Sequence, residues 1–339
     1  MTIVMGLDQH RAQITAEWID TSTGEVSRQR VAPAHRAGVR RFAERFGDLE
    51  LEVALEATTG WRFVVEEFTA VGARVHLAEP AETAARRGTK KRAKSDRADA
   101  RHLRELLMVG RLPESWIPPE HLLDLRARVR LRHTLVDARR EWQQRIQAVL
   151  YHHGAPPRSW LLGAESRARL EALKLPPAAR EQITIALTLS DAHDAQLAPL
   201  DQQLRNYAKR QPGCRALMRH YGVGPQVACA ILAELGDTRR FSSSRQSVRF
   251  AGLDVTVHES DTKRRAGHLS RQGPPVLRWA AFEAAESACK PASPDHAYYL
   301  ELKQRVGANR AVLSIARKLL RRAHHTLREL GDDALAPAA

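Results

Sequence analysis

Four acidic residues occupy positions from which a fold could bring their carboxylates together. Asp8 ends an apolar, β-branched stretch, and Glu56 ends a second predicted buried strand in the sequence VALEATTG. Asp96 and Asp99 follow Ser95 at the start of a predicted helix, one turn apart on one face. Oxygen ligands of this kind suit Mg²⁺ or Mn²⁺, and two such ions can clamp the attacking and leaving oxygens of a phosphodiester. The four acids are therefore predicted to be catalytic metal ligands.

Each acid also has an ordinary structural explanation. An Asp at a strand end, such as Asp8, often forms a turn, and acids in the first turn of a helix interact favourably with the helix dipole. The metal site is favoured because the four acids occur together in the right order of elements. A dense run of cations beside them is hard to explain as a solvated surface, because like charges repel unless an anion is present. These cations are predicted to contact nucleic acid: Arg86, Arg87, Lys90, Lys91, Arg92 and Lys94.

A serine in the C-terminal part of the chain is a candidate nucleophile. The polar, basic segment 258–273 contains Ser260 and Ser270 and is predicted to be a loop. A hydroxyl among cations can attack a phosphate, because the cations offset charge in the transition state. Most loop serines only cap or contact solvent, so composition does not choose between the two. The cations of this region are also predicted to contact nucleic acid: Lys263, Arg264, Arg265, Arg271 and Arg278.

The first hundred residues contain the elements needed to position the acids. Alternating and helix-period apolar patterns, bounded by Gly, Pro and Asp, predict the order β-β-β-α-β-α-β-α. This is the order of elements in an RNase H-like fold, and it puts Asp8 and Glu56 at strand ends. The predicted strands are 2–8, 13–19, 25–31, 51–55 and 74–78, and the predicted helices are 37–46, 61–70 and 96–109.

The middle of the chain is predicted to be two long helices, at 120–151 and 178–211, with a kink at Pro199. An apolar stripe beside many arginines favours a coiled-coil arm that contacts nucleic acid or another copy, with a plain spacer as the alternative. Further on, Gly222 and Gly224 in the sequence GVGP precede a predicted helix at 226–235. Such a turn is typical of a helix-hairpin-helix unit, and a plain structural turn is the alternative.

Charge and composition narrow the class of protein. The chain has 339 residues, 54 Lys+Arg against 39 Asp+Glu, and a net charge of +15, which points to a polyanionic partner. The sequence has no apolar run long enough to predict a membrane span, and its N-terminus does not resemble a signal peptide. We therefore expect no membrane partner. The three cysteines form no CxxC pair, and no GxxxxGK[ST] loop is present, so zinc-finger and P-loop classes are excluded. The scattered cysteines fit a reducing cytoplasm.

In these residues the chain resembles the IS110 family of insertion-sequence transposases, the DEDD recombinases, which are related to Piv-type DNA invertases. The resemblance covers about residues 3–325. GLDQH around Asp8, ALEATTGW around Glu56 and KSDRADARHL with Asp96 and Asp99 are similar to the family's RuvC-like domain. The transposase domain is matched by GVGPQVACAILAELGDTRRF, SVRFAGLDVTVHES, RAGHLSRQGPPVLRWAAFEAA and ANRAVLSIARKLL.

The resemblance implies an α/β plus α architecture in four parts. These are a RuvC-like DEDD domain at 1–112, a helical coiled-coil linker at 113–211, a mainly α-helical transposase domain with a helix-hairpin-helix-like turn at 212–330, and a tail at 331–339. It also implies that the four acids bind Mg²⁺ and that a serine attacks DNA to form a covalent phosphoserine link. The serine falls at Ser260, with Ser270 as the runner-up, because Asp261 stands where the family usually has Gly.

The implied partners are target DNA, donor DNA and a structured non-coding guide, the bridge RNA, that pairs with both. Family members act as homo-oligomers, here a dimer or tetramer, and the resemblance also implies a bacterial cytoplasmic, nucleoid-associated protein. The implied function is RNA-guided recombination of an insertion sequence by strand cleavage and exchange. The alternative is a metal-dependent Holliday-junction-type DNA endonuclease that uses water and forms no covalent intermediate. A third possibility, a non-catalytic nucleic-acid-binding protein, would rely on charge alone.

Overall fold

The chain forms two compact units, Met1–Ile117 and Pro118–Ala339. The structure, a computed structural model, describes residues 2–86, 95–155, 163–260 and 263–338, and for 257–260 and 263–266 it describes the backbone. The predicted domain boundaries at 112, 211 and 330 stay a prediction.

A six-stranded mixed sheet forms the centre of the N-terminal unit. Its strands are β1 (Thr2–Gln9), β2 (Ile14–Asp20), β3 (Val26–Val31), β4 (Glu50–Glu56), β5 (Arg74–Ala78) and β6 (Glu114–Ser115), in the order β3-β2-β1-β4-β5-β6. β1, β4 and β5 run parallel, whereas β2, β3 and β6 are antiparallel to their neighbours. The predicted strands are thus confirmed, with β6 added. This mixed sheet with helices is consistent with an RNase H-like domain.

Helices cover both faces of the sheet. They are α1 (Arg36–Ala43), α2 (Trp61–Ala70), α3 (Pro80–Ala85) and α4 (Asp96–Met108). Phe42 and Phe68 pack in the larger core with Leu7 and Leu55. Leu103 and Leu107 of α4 pack in a second core with Val4 and other residues of the opposite face. Burial on both faces explains why β1 is a nearly continuous apolar run and why the consecutive residues Val53, Ala54 and Leu55 of β4 are all buried.

Close backbone contact fixes α4 against β1. A Cβ at Gly6 would lie 2.0 Å from the Ala100 carbonyl oxygen, so only glycine allows this approach. Arg104 of α4 is buried, and its Nη2 lies 3.0 Å from Oε1 of Glu17, which is itself fully buried on β2. Arg28 contributes a second ion pair to Glu17. These contacts determine where the first turn of α4 lies.

The C-terminal unit is mainly helical. Its helices are α5 (Glu120–His152), α6 (Ala164–Ala172), α7 (Pro177–Arg210), α8 (Pro212–Leu217), α9 (Pro225–Leu235), α10 (Ser244–Phe250), α11 (Pro275–Ala288), α12 (His296–Val306) and α13 (Ala308–Leu330). α7 continues as a single helix through Pro199. α5 and α7 pack as an antiparallel pair, since Arg132 bonds Asp201 while Arg139, further along α5, bonds Asp194, earlier on α7.

The arginines of α5 are predicted to contact nucleic acid or another copy, but several of them bond to other parts of the same unit. Arg130 donates to both carboxylate oxygens of Glu234, at 2.7 and 2.9 Å, and Arg126 donates to the Ala233 carbonyl at 2.9 Å. Arg132 and Arg139 pair with aspartates of α7, so four arginines of α5 form hydrogen bonds or ion pairs within the unit. Their partners lie about 55 to 107 residues away along the chain, which sequence spacing does not reveal.

A two-stranded hairpin replaces part of the predicted loop. β7 (Val255–Ser260) pairs antiparallel with β8 (Lys263–Leu269), with an irregularity between Val255 and Val257. The prediction of a loop over 258–273 was wrong there, because the segment is mostly polar and basic and carries only a short apolar alternation at Val255 and Val257. Val255, at the start of β7, is exposed. Within the described ranges, no helix combines the length and the apolar character that crossing a bilayer needs.

Candidate active site

The four predicted metal ligands line one cavity of about 960 Å³ in the N-terminal unit. Leu7 lies opposite Leu55 in the parallel pair β1/β4, so Asp8 and Glu56 are the next residues on two adjacent central strands. Asp96 and Asp99 enter the same cavity from the first turn of α4. The fold therefore brings together acids that lie up to 91 residues apart along the chain.

Local sequence explains the placement of the α4 acids. Ser95 is the N-cap of α4, and its hydroxyl accepts a hydrogen bond from the Ala98 amide at 3.3 Å. The cap fixes the start of the helix, so Asp96 and Asp99 both fall in its first turn. Gln13 donates to Oδ2 of Asp96 at 3.1 Å and orients that carboxylate.

The electrostatics of the cavity favour a bound cation. The side chain of Asp8 is only 16% exposed. Burial raises the pKa of Asp8; His10 lowers it, whereas the charges of Asp99 and Asp96 raise it further, and the net pKa lies above the ordinary value. A divalent cation relieves this repulsion, and carboxylate oxygens are the donors that Mg²⁺ and Mn²⁺ prefer. The residues present thus fit a divalent metal.

His10 belongs to the same site and was not among the predicted ligands. Its Nε2 lies 3.1 Å from Oδ2 of Asp8 and 3.5 Å from Oδ1 of Asp96. Together the three side chains can offer ligand atoms within 4.8 Å of one another. One signal was available: His10 is two residues after Asp8, and side chains two apart along an extended chain share a face.

The predicted nucleophile lies at the end of a strand. Ser260 is the last residue of β7, and its backbone pairs with Lys263 of β8. Lys263, Arg264 and Arg265 therefore follow directly on the partner strand. Asp261 lies outside the described residues.

Ser270, the runner-up, has a structural hydrogen bond. Its hydroxyl donates to the Asp254 carboxylate, and its amide donates to the Asp254 carbonyl at 3.0 Å. These two bonds join the chain on either side of the hairpin. The bonds account for Ser270 without a role in chemistry.

Two of the residues predicted to contact nucleic acid, Arg278 and Arg86, donate hydrogen bonds to backbone carbonyls of the protein itself. Arg278 donates to the backbone carbonyls of Ala251 and Gly273, at 3.2 and 3.1 Å, and burial together with Arg271 lowers its pKa. Arg86 likewise donates to the Arg111 carbonyl. Arg271 has a left-handed backbone, with φ of 51°. The remaining basic residues of the first cluster lie outside the described residues: Arg87, Lys90, Lys91, Arg92 and Lys94.

Comparison with known proteins supplies a family for these features. A DEDD transposase model matches residues 5–154, and a model described as "Transposase IS116/IS110/IS902 family" matches residues 214–300. A Pseudomonas aeruginosa protein named a probable family 20 transposase is 24% identical over 326 residues, covering 93% of each chain. The transposase for insertion sequence element IS1111A of Coxiella burnetii is 25% identical over 280 residues, covering 78% of this chain and 74% of the relative.

Proposed function

The chain belongs to the IS110 family of transposases, and from this premise we propose that it cleaves and exchanges DNA strands with Ser260 as nucleophile and Mg²⁺ or Mn²⁺ held by Asp8, Glu56, Asp96 and Asp99. The chain is a DNA transposase, its substrates are DNA, and its DEDD domain uses a divalent metal. The roles of Ser260 as nucleophile and of the four acids as metal ligands are our proposal.

One observation carries the proposal: the four carboxylates line a single cavity. The raised pKa of Asp8 fits such a site: burial is its largest cause and the charges of Asp99 and Asp96 add to it, so a bound cation would stabilise the charged carboxylate. A structural explanation would account for each acid separately but not for their convergence from β1, β4 and α4.

In the proposed covalent step, each bond that forms is matched by a bond that breaks. Ser260 gives up its hydroxyl proton, its oxygen forms a bond to phosphorus, and the bond from phosphorus to one deoxyribose oxygen breaks. The freed strand end takes a proton. A hydroxyl end of a second strand then attacks the phosphoserine and restores the Ser260 hydroxyl, so no external energy source is needed. When bound, a divalent cation supplies charge stabilisation at the phosphate oxygens.

The side chains of this unit do the remaining work at the metal site. Asp8 and Glu56 hold their carboxylates on the rigid centre of the sheet, and α4 presents Asp96 and Asp99. Gln13 keeps Asp96 oriented through its amide. Placement on strand ends and on a capped helix makes the site pre-organised, which is what phosphoryl transfer requires.

We also propose that a structured guide RNA and two DNAs bind the protein, as a homo-oligomer. The net charge of +15 supports more than one polyanion, and the basic residues flank both chemical regions along the chain. Delegating recognition to base pairing leaves the protein to contact backbone and shape. Sequencing of RNA that co-purifies with the full-length protein tests this part; RNA without complementarity to element ends and insertion sites contradicts it.

A trapping assay tests the chemistry. Full-length protein is incubated with element DNA, target DNA, co-purified RNA and Mg²⁺, and covalent protein–DNA adducts are separated on a denaturing gel. The wild type and Ser270→Ala form the adduct, whereas Ser260→Ala does not. Cleavage of four-way DNA by Ser260→Ala without any adduct would instead support the metal-dependent endonuclease.

A further inference from the structure

We propose that His10 is a direct ligand of the metal in the acid cavity and that it makes the site prefer Mn²⁺ over Mg²⁺. This inference rests on the proposed function of the four acids. It adds a nitrogen donor to a set of ligands that otherwise consists of oxygen.

The position of the ring supports ligation. Nε2 of His10 faces both Asp8 and Asp96, at 3.1 and 3.5 Å, and the ligand atoms of all three lie within 4.8 Å of one another. A metal placed between them at ordinary bond lengths of about 2.0–2.2 Å would join the three. His10 follows the end of β1 directly, so the strand that positions Asp8 also positions the ring.

The ligand chemistry determines the preference. Mg²⁺ is a hard cation that takes oxygen ligands and keeps several waters in octahedral geometry. An imidazole nitrogen suits transition metals better than Mg²⁺, and affinity for a mixed nitrogen and oxygen site is higher for the transition metal. A site with one imidazole beside carboxylates therefore discriminates between two ions that an oxygen-only site treats more alike.

His10 has one competing role, which is a simple hydrogen bond to Asp8. Asp96 already has a neutral donor in Gln13, at 3.1 Å, so a neutral amide is an adequate hydrogen-bond partner for a carboxylate in this cavity. A Gln at position 10 would preserve the hydrogen bond and lose the ring nitrogen. The two roles therefore predict different behaviour for His10→Gln.

The test is Mn²⁺ binding by the full-length protein, followed by electron paramagnetic resonance. The cavity ion is the Mn²⁺ that binds the wild type and is lost in Asp8→Asn. Electron spin echo modulation then reports whether a ¹⁴N nucleus is bonded directly to that ion. His10→Ala and His10→Gln remove the ring, and His153→Ala, an exposed histidine of the other unit, serves as the matched control.

We expect direct ¹⁴N coupling in the wild type and in His153→Ala, and no coupling in the two His10 variants. Both His10 variants lower Mn²⁺ affinity at least about tenfold, with a smaller change for Mg²⁺. Bound Mn²⁺ without nitrogen coupling, coupling that persists in His10→Ala, or full Mn²⁺ affinity in His10→Gln overturns the ligand role while leaving the acid site intact. Equal Mn²⁺ binding by wild type and Asp8→Asn overturns the proposed metal site as well.

Discussion

The acid cavity and the serine hairpin are built in opposite ways. The cavity takes its side chains from β1, β4 and α4, elements that lie far apart along the chain and are fixed by buried contacts. Ser260 and the cations that follow it come from one hairpin whose strands are adjacent in sequence. The acid cavity therefore depends on the whole fold of its unit, whereas the hairpin depends on the residues at its own base. Substitutions far from each region should separate the two.

The largest expected effects come from the chemical groups themselves. Asp8→Asn and Ser260→Ala should each lower strand exchange at least about a thousandfold, because groups that act as a unit fail together. Only Asp8→Asn should also abolish Mn²⁺ binding. Single-turnover strand exchange and a metal titration on the same preparations measure both. Loss of metal binding in Ser260→Ala would contradict the separation of the two regions.

The buried ion pair between Arg104 of α4 and Glu17 of β2 should contribute strongly to the free energy of unfolding. Arg104→Ala leaves Glu17 buried with one partner fewer, and we expect a loss of about 3–5 kcal/mol in the free energy of unfolding. Arg101→Ala is the matched control on the same helix, since its pair with Glu105 is exposed and contributes about 0.3–0.5 kcal/mol. Urea unfolding measures both, and equal effects of the two variants would argue against α4 being fixed through Arg104.

Glycine substitutions should divide the two regions cleanly. Gly6→Ala pushes α4 from β1, whereas Gly273→Ala meets the Phe250 carbonyl oxygen at 1.9 Å in a left-handed backbone at the base of the hairpin. Each should cost about 1–3 kcal/mol in the free energy of unfolding. Gly6→Ala should weaken Mn²⁺ binding, and adduct formation should fall with it, whereas Gly273→Ala should lower adduct formation with unchanged Mn²⁺ affinity.

Gly47→Ala is the control for both glycine variants. The nearest atom to a Cβ at Gly47 is 3.5 Å away and its φ is −62°, so we expect a change within about 0.5 kcal/mol. Weakened metal binding in Gly273→Ala, or normal metal binding in a folded Gly6→Ala, would remove the contrast between the regions.

The smallest expected effect concerns pH. Because the folded-state pKa of Asp8 is raised, the folded protein holds this proton more tightly than the unfolded chain does. The resulting stabilisation is fully present below the unfolded pKa of 3.8 and is lost as pH rises through the folded value. Without metal at neutral pH, Asp8→Asn should therefore raise the melting temperature, and at pH 3 the difference should shrink. Calorimetry in a chelator checks this, and a lowered melting temperature at neutral pH would count against it.

Much of the N-terminal unit could be predicted from the sequence, because its signals are local. The apolar, β-branched stretch at 2–8 predicts β1, the apolar residues of 51–55 predict β4, and Ser95 as N-cap predicts the start of α4. Once the element order was known, the acids at strand ends and helix start implied one site. The metal-binding role of these residues stays a prediction, although their convergence is now observed.

Other features depend on contacts that no local pattern records. His10 is a polar residue after a strand, and its relation to Asp96 appears only when α4 packs against β1. In the sequence, the arginines of α5 are typical of a contact surface. In the structure, Arg130 pairs with Glu234 of α9, which lies about a hundred residues further along the chain. The hairpin could not be predicted because its segment is mostly polar and basic, which is typical of a loop.

The most direct test of the account is to identify the residue that is joined to DNA. Trapped adduct from the wild type in Mg²⁺ or Mn²⁺ is digested with protease and nuclease, and the peptide that carries the residual nucleotide is sequenced by mass spectrometry. The account predicts a phosphodiester on Ser260 that is absent when Asp8→Asn is used. A nucleotide on Ser270 or another residue, or strand exchange that proceeds with no adduct at all, would contradict it.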